Sequence, residues 1–125
     1  MTGAPLRGCR LLVVEDEYFL AQDLRDHLTA AGATVIGPVG LIDEAVALIV
    51  ATDAIDGAIL DVNLQGEPAF PAADLLTARG VPILFTTGYD GDAMPERYRH
   101  MPRCEKPVPA ATVIRAIGAA VRGGR

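Results

Sequence analysis

The chain has little of what would mark it for an oxidising compartment, a membrane or a nucleic acid. Only two cysteines, Cys9 and Cys104, occur in 125 residues, and they form no C-x-x-C pair. That excludes a disulfide framework and leaves too few thiols for a structural metal site, so both are read as reduced and mostly buried. No apolar run approaches the ~20 residues that a bilayer requires. The longest is Ala45 to Ala51, and Met1 to Arg7 lacks the apolar centre of a signal peptide. A cytoplasmic protein with no membrane partner is expected. Basic residues are the minority, 11 Lys and Arg against 16 Asp and Glu, for a net charge of −5. This is the wrong sign for a phosphate backbone, so no nucleic-acid partner is expected.

There is also no internal repeat and no linker. Half of the residues are apolar and 22% are charged, an ordinary globular balance. The length fits one domain, placed at residues 9–122 with short tails at 1–8 and 123–125 and no further domain after it.

What is present is an alternation of strand and helix signals. Leu11 to Val14 is a continuous apolar run, as in a strand covered on both faces, and it ends in Glu15-Asp16-Glu17. Leu20, Leu24, Leu28 and Ala31 then form a helical stripe closed by Gly32. Thr34 to Val39 reads as a second strand, at an edge because of Pro38. Ile42, Ala45, Val46 and Ile49 support a second helix without a capping residue. Gly57 to Leu60 is the third strand. Gly66, Pro68 and Pro71 then demand a loop before a helix over roughly 72–78, stopped by Gly80. Val81 to Thr86 is the fourth strand, followed by a glycine-rich turn from Thr87 to Asp92. Pro95 and Pro102 leave room for a fourth helix that is short or mobile, around Glu96 to His100. Arg103 to Glu105 is a brief fifth strand. Pro109 suits the first position of a last helix, which buries Val113, Ile117, Ala120 and Val121 and ends at Gly123-Gly124.

This order predicts an α/β fold: a (βα)5 three-layer sandwich around a parallel five-stranded sheet. A flavodoxin-like strand order of 2-1-3-4-5 would place the first strand beside the third, with a crevice at their C-terminal ends. It would also hold Cys9 and Cys104 about 14 Å apart, too far for a disulfide.

Four strand ends then carry polar residues at one edge. Glu15-Asp16 follows the first strand, Asp61 the third, Thr87 the fourth and Lys106 the fifth. Taken singly each has a plain reading: acids at a helix start, a turn acid, a β-former, a turn lysine. Together they suit phosphoryl transfer. Crowded carboxylates repel by about 4 kcal/mol per pair at close range, so they need a cation, and Mg2+ takes oxygen ligands of this kind. Asp61 can act as nucleophile, Lys106 can neutralise it, and the Thr87 hydroxyl can bond a transferred phosphoryl oxygen.

On these residues the chain resembles a response-regulator receiver domain of two-component phosphorelays, over about Cys9 to Arg122. The resemblance implies that Glu15-Asp16 is the acid pair, Asp61 the phosphoacceptor, Thr87 the switch hydroxyl and Lys106-Pro107 the lysine-proline. It further implies that Asn63 lends a backbone carbonyl to Mg2+, and that the donor is a sensor histidine kinase or a histidine phosphotransfer protein. Phe85-Thr86-Thr87-Gly88-Tyr89 with a weak fourth helix resembles the stand-alone receivers with a Phe-Ala-Thr-Gly-type motif, whose partners are often HWE-type kinases. Two departures stand out. Glu15 replaces the commoner aspartate, so it is expected to reach the metal through water while Asp16 ligates directly. Arg103 stands where a switch aromatic is usual, leaving Tyr89 or Tyr98 to fill that role.

The expected activity is self-catalysed phosphorylation and dephosphorylation, not turnover of small substrates. Output is expected through protein contacts or relay, with the 87–98 loop shifting and Tyr89, Tyr98 and the last helix forming the contact face. His27 and His100 read as packing or surface residues, and Asp53, Asp56, Asp90 and Asp92 as solvated loop acids. Two alternatives stay open. One is a small phosphatase of the haloacid dehalogenase type, which Asn63 disfavours because that class wants a second aspartate there. The other is a degenerate receiver acting only as an adaptor.

Overall fold

Apolar residues that run without interruption along a strand need cover on both faces, and the sheet provides it. The computed structural model describes residues 4–88 and 94–123. Strands β1 (Arg10–Val14), β2 (Thr34–Val39), β3 (Gly57–Asp61), β4 (Ile83–Thr87) and β5 (Arg103–Glu105) alternate with helices α1 (Tyr18–Ala30), α2 (Ile42–Ala51), α3 (Phe70–Ala78) and α4 (Ala110–Gly123). All the strand pairs in the sheet are parallel, in the order β2-β1-β3-β4-β5. This is the expected flavodoxin-like order, with β2 and its Pro38 at an edge.

The two-residue period of a strand sorts its side chains between two cores. Leu12, Val14, Leu60, Ile83 and Phe85 pack with Ala45 and Ile49 of α2 and Ala72, Ala73 and Leu76 of α3. Leu11, Val13, Ile59 and Leu84 pack on the opposite face with Leu28 of α1 and Val113, Ile117 and Val121 of α4. The result is three layers, helix pair, sheet, helix pair. Among the described residues no helix is long and apolar enough to cross a membrane.

Several elements differ from expectation. The fourth helix is reduced to a single 3₁₀ turn, Glu96–Tyr98, between its two prolines, so the described chain has four α-helices rather than five. The glycine-rich turn expected at 87–92 lies largely outside the described residues. Helix α3 starts at Phe70, two residues earlier than expected, because Pro71 is accommodated in its first turn. Strand β4 starts at Ile83 rather than Val81. An unforeseen antiparallel hairpin pairs Asn63–Leu64 with Glu67–Pro68.

The α1 stripe is shifted at its start. Leu20 is 36% exposed, with Tyr18 at 68% and Phe19 at 84%, whereas Ala21 and Leu28 are buried. The buried stripe therefore runs through Ala21, Leu24 and Leu28, with Leu20 at its margin. Cys9 and Cys104 are free thiols but half-buried, less enclosed than expected, because each belongs to the margin of the α1/α4 core. Asp56 is no solvated loop acid: it is half-buried, and its Oδ2 accepts the Arg10 backbone N–H at 2.8 Å, tying the approach to β3 onto β1.

Candidate functional site

Because β1, β3 and β5 all end at the same edge, residues distant in sequence meet there. Glu15 follows β1 and is buried, Asp16 beside it is half-buried, Asp61 closes β3 and is buried, and Lys106 directly follows β5. One carboxylate oxygen from each of Glu15, Asp16 and Asp61 lies within 4.8 Å of the others. The Lys106 ammonium donates to Asp61 Oδ2 at 2.7 Å and contacts Glu15 Oε1 at 3.0 Å and Oε2 at 3.1 Å.

Backbone amides aim each acid. The Glu17 N–H donates to Glu15 Oε2 at 3.1 Å and the Asn63 N–H to Asp61 Oδ1 at 3.1 Å. The hairpin explains its own presence here: the Gln65 N–H at its tip donates to Asp16 Oδ2 at 3.0 Å, and Asn63 Oδ1 accepts the Gly66 N–H at 2.7 Å. Gly40 completes the wall. A Cβ there would sit 3.1 Å from the Asp16 Cα and 3.3 Å from the Glu15 carbonyl oxygen, so only glycine lets the start of α2 approach the acid pair without displacing it.

The electrostatics are those of a site short of positive charge. Burial pushes the Glu15 carboxyl up to about 7, outweighing the pull of the Glu17 amide and of Lys106, while the neighbouring Asp61 charge adds to the rise. Burial also raises Asp61 above its ordinary value, despite Lys106 and the Asn63 amide. Burial works against the Lys106 charge as well, but hydrogen bonds and charges of Asp61 and Glu15 together lift its pKa. One ammonium therefore does not satisfy three carboxylates, and a cation with oxygen preference would.

These residues form one end of a cleft of about 660 Å³ that continues between α1 and α4 over Leu20, Leu24, Val108 and Val113. Thr87 is buried at the end of β4, and its carbonyl accepts the Lys106 N–H at 2.7 Å. It is Thr86, however, that lines the cleft together with Asp61 and Lys106. From the sequence Thr86 stands only as the last residue of the fourth strand and not as a site residue. The available signal was the period of two: Asp61 pairs with Thr86 in the β3–β4 register, which puts both on the α1/α4 face.

The proposed contact residue Tyr98 is corrected. It is only 3% exposed, stacked on Phe70 with ring centroids 5.8 Å apart and edge-on to Phe85 at 5.4 Å. Its hydroxyl donates to Asp74 Oδ1 at 2.5 Å, and Arg97 grips the same carboxylate at 3.0 and 3.1 Å. The 3₁₀ turn is thus pinned to α3, and a residue so enclosed offers no contact face. Tyr89, Asp90 and Asp92 lie outside the described residues. Arg103 is exposed, and so are His27 and His100, away from the acid cluster.

The fold has close counterparts among solved structures. The solution structure of SdrG from Sphingomonas melonis Fr1 is 37% identical, with a TM-score of 0.79, over 91% of this chain and 96% of that one. A solution structure of the BeF3-activated conformation of SdrG, from Pseudomonas melonis Fr1, is 35% identical with a TM-score of 0.73, over 97% and 99% of the two chains. A response regulator receiver protein from Sinorhizobium medicae WSM419 shares the fold, with 22% identity and a TM-score of 0.78 over 94% and 97%. Neither a protein-family model nor a curated relative matches the sequence. Parallel five-stranded topology and an acid-lysine cluster at the strand ends define a receiver-type α/β domain. The chain belongs to the response regulator receiver family.

Proposed function

We propose that the protein accepts a phosphoryl group on Asp61 from a sensor histidine kinase or a histidine phosphotransfer protein and signals through the modified state. The observation that carries this reading is the Asp61 carboxylate, held 2.7 Å from the Lys106 ammonium inside a cluster of three acids at the open edge of the sheet. In the transfer an Asp61 oxygen attacks the phosphorus of a phosphoimidazole, the P–N bond breaks, and its electron pair returns to the ring nitrogen. Lys106 loses its carboxylate partner in part and finds the new oxygens instead, while the Thr87 hydroxyl, one residue beyond the level of Asp61, is the donor assigned to them.

The donor set fits a hard divalent ion: three converging carboxylates, two of them resisting ionisation in its absence. Asp16 and Asp61, with the Asn63 carbonyl, are assigned as direct Mg2+ ligands, and Glu15, already engaged by Lys106 and the Glu17 amide, as a ligand through water. When bound, Mg2+ supplies neutralisation of the phosphoryl oxygens. The donor's contact is assigned to the cleft mouth, where exposed Tyr18 and Phe19 stand between the cleft-lining Glu17 and Leu20. A cytoplasmic kinase core, of the HWE type in the motif subgroup that Phe85 to Tyr89 resembles, is the donor this reading favours. Release of phosphate from Asp61 is self-catalysed, not turnover of small phosphate esters.

Incubation with acetyl phosphate and Mg2+, followed by intact mass measurement, tests the assignment. One phosphate adduct is expected on the wild type and none on Asp61→Asn. Absence of the adduct on both favours the adaptor reading, and sustained hydrolysis of a phosphate ester favours the phosphatase.

A further inference from the structure

Among the described residues, one buried side-chain polar atom has no hydrogen-bond partner: Thr86 Oγ1. Thr86 is only 5% exposed, so bulk water does not satisfy it. Its place in the sheet is specific. It stands in register with Asp61 on β3 and with Cys104 on β5. Residues in register on parallel strands share a face, and Ile59 and Leu84, two residues before Asp61 and Thr86, both pack in the α1/α4 core. Asp61 and Thr86 therefore project to the same side, and both line the cleft with Lys106.

In the unmodified protein each Asp61 oxygen already has a donor, Oδ2 from Lys106 and Oδ1 from the Asn63 N–H. The hydroxyl beside them is left over. A buried hydroxyl without a partner is destabilising, and replacing it with an apolar group of the same shape is neutral or favourable. A group that is unfavourable in one state contributes to a switch if a second state supplies its partner. On this face the residue that changes is Asp61: phosphorylation adds acceptor oxygens and draws the Lys106 ammonium towards them.

We propose that Thr86 is a second hydroxyl of the acceptor site, unpaired while Asp61 is free and donating its hydrogen bond to the Asp61 acyl phosphate once it forms. The assignment rests on the phosphoacceptor reading above. It makes Thr86 a selective stabiliser of the modified state, separate from Thr87.

The test uses the full chain with Thr86→Val, which keeps the shape and removes the hydroxyl, and Thr86→Ser, which restores a hydroxyl. The probes are beryllium trifluoride with Mg2+, read as affinity, and acyl phosphate made from acetyl phosphate, read as its decay after the donor is removed. Unmodified Thr86→Val should melt at or above the wild-type temperature yet bind beryllium trifluoride about five- to tenfold more weakly, the loss expected for one buried hydrogen bond. Its acyl phosphate should decay faster, and Thr86→Ser should recover most of both properties. Equal affinity and lifetime in Thr86→Val and wild type overturn the inference while leaving the phosphoacceptor reading intact. So does a melting temperature that falls in Thr86→Val with no change specific to the modified state. Wild-type protein that takes neither probe overturns both. Thr86→Ala serves as a second hydroxyl-free variant should the valine fail to pack, with the same loss expected.

Discussion

Raising the pH should destabilise the metal-free protein across a window in which most acidic proteins change little. Folding lifts the Glu15 carboxyl from an ordinary 4.5 to about 7. Between those values the folded chain holds a proton that the unfolded chain has released, so stability falls as pH rises. The contribution is fully present below the unfolded value and lost on passing the folded one. Each unit of difference corresponds to about 1.36 kcal/mol, which sets the loss at about 3 kcal/mol for Glu15. Asp61, also raised, acts in the same direction from its ordinary 3.8. For a chain of this length an unfolding entropy of about 2.1 cal/mol/K per residue turns 3 kcal/mol into roughly 10 °C of melting temperature. Asp74 has the opposite sign, since its Arg97 and Tyr98 hydrogen bonds lower its pKa, but its side chain is half exposed and solvent screens it. The assay is a series of thermal melts from pH 5 to pH 8 in a chelator. A parallel series in millimolar Mg2+ should show little stabilisation at pH 5 and the most at pH 8, because the ion competes with the protons. Glu15→Gln should flatten the metal-free profile. A metal-free melting temperature that stays level or rises between pH 5 and pH 8, or a slope that is undiminished in Glu15→Gln, refutes the reasoning.

Lys106→Met should cost about 3–5 kcal/mol at pH 8, because it strips the cation from two buried carboxylates. The cost should shrink at pH 5, below the value of about 7 to which burial lifts Glu15, and denaturant titration at the two pH values reads the difference. Tyr98→Phe should cost about 1–2 kcal/mol through the lost hydroxyl bond to Asp74 while keeping the ring stacked on Phe70. A double-mutant cycle with Asp74→Ala should return a coupling of that size.

The strand-end acids, the lysine and the βα alternation were legible because each depends on local order. A continuous apolar run such as Leu11 to Val14 is two-sided wherever it lies, and a strand-end polar residue stands at the edge of whatever sheet forms. Thr86 was not legible as a site residue, since its meaning depends on the partner that its register selects, which lies 25 residues away at Asp61. Tyr98 was misread for a similar reason. Its own segment is polar and proline-bounded, and only the approach of Phe70, Asp74 and Phe85 encloses it. The hairpin at 63–68 reads as a loop by composition, and its structure comes from the amides it presents to Asp16 and Asn63.

Taken by itself, then, the order of residues determined the layers, the parallel sheet and the identity of Glu15, Asp16, Asp61 and Lys106, because periodicity and strand ends are properties of short segments. Tertiary structure alone decided how hard Glu15 and Asp61 are to ionise, that Thr86 lines the cleft and that Tyr98 is buried. Desolvation and register are set by what packs from elsewhere in the chain, and no local pattern carries them.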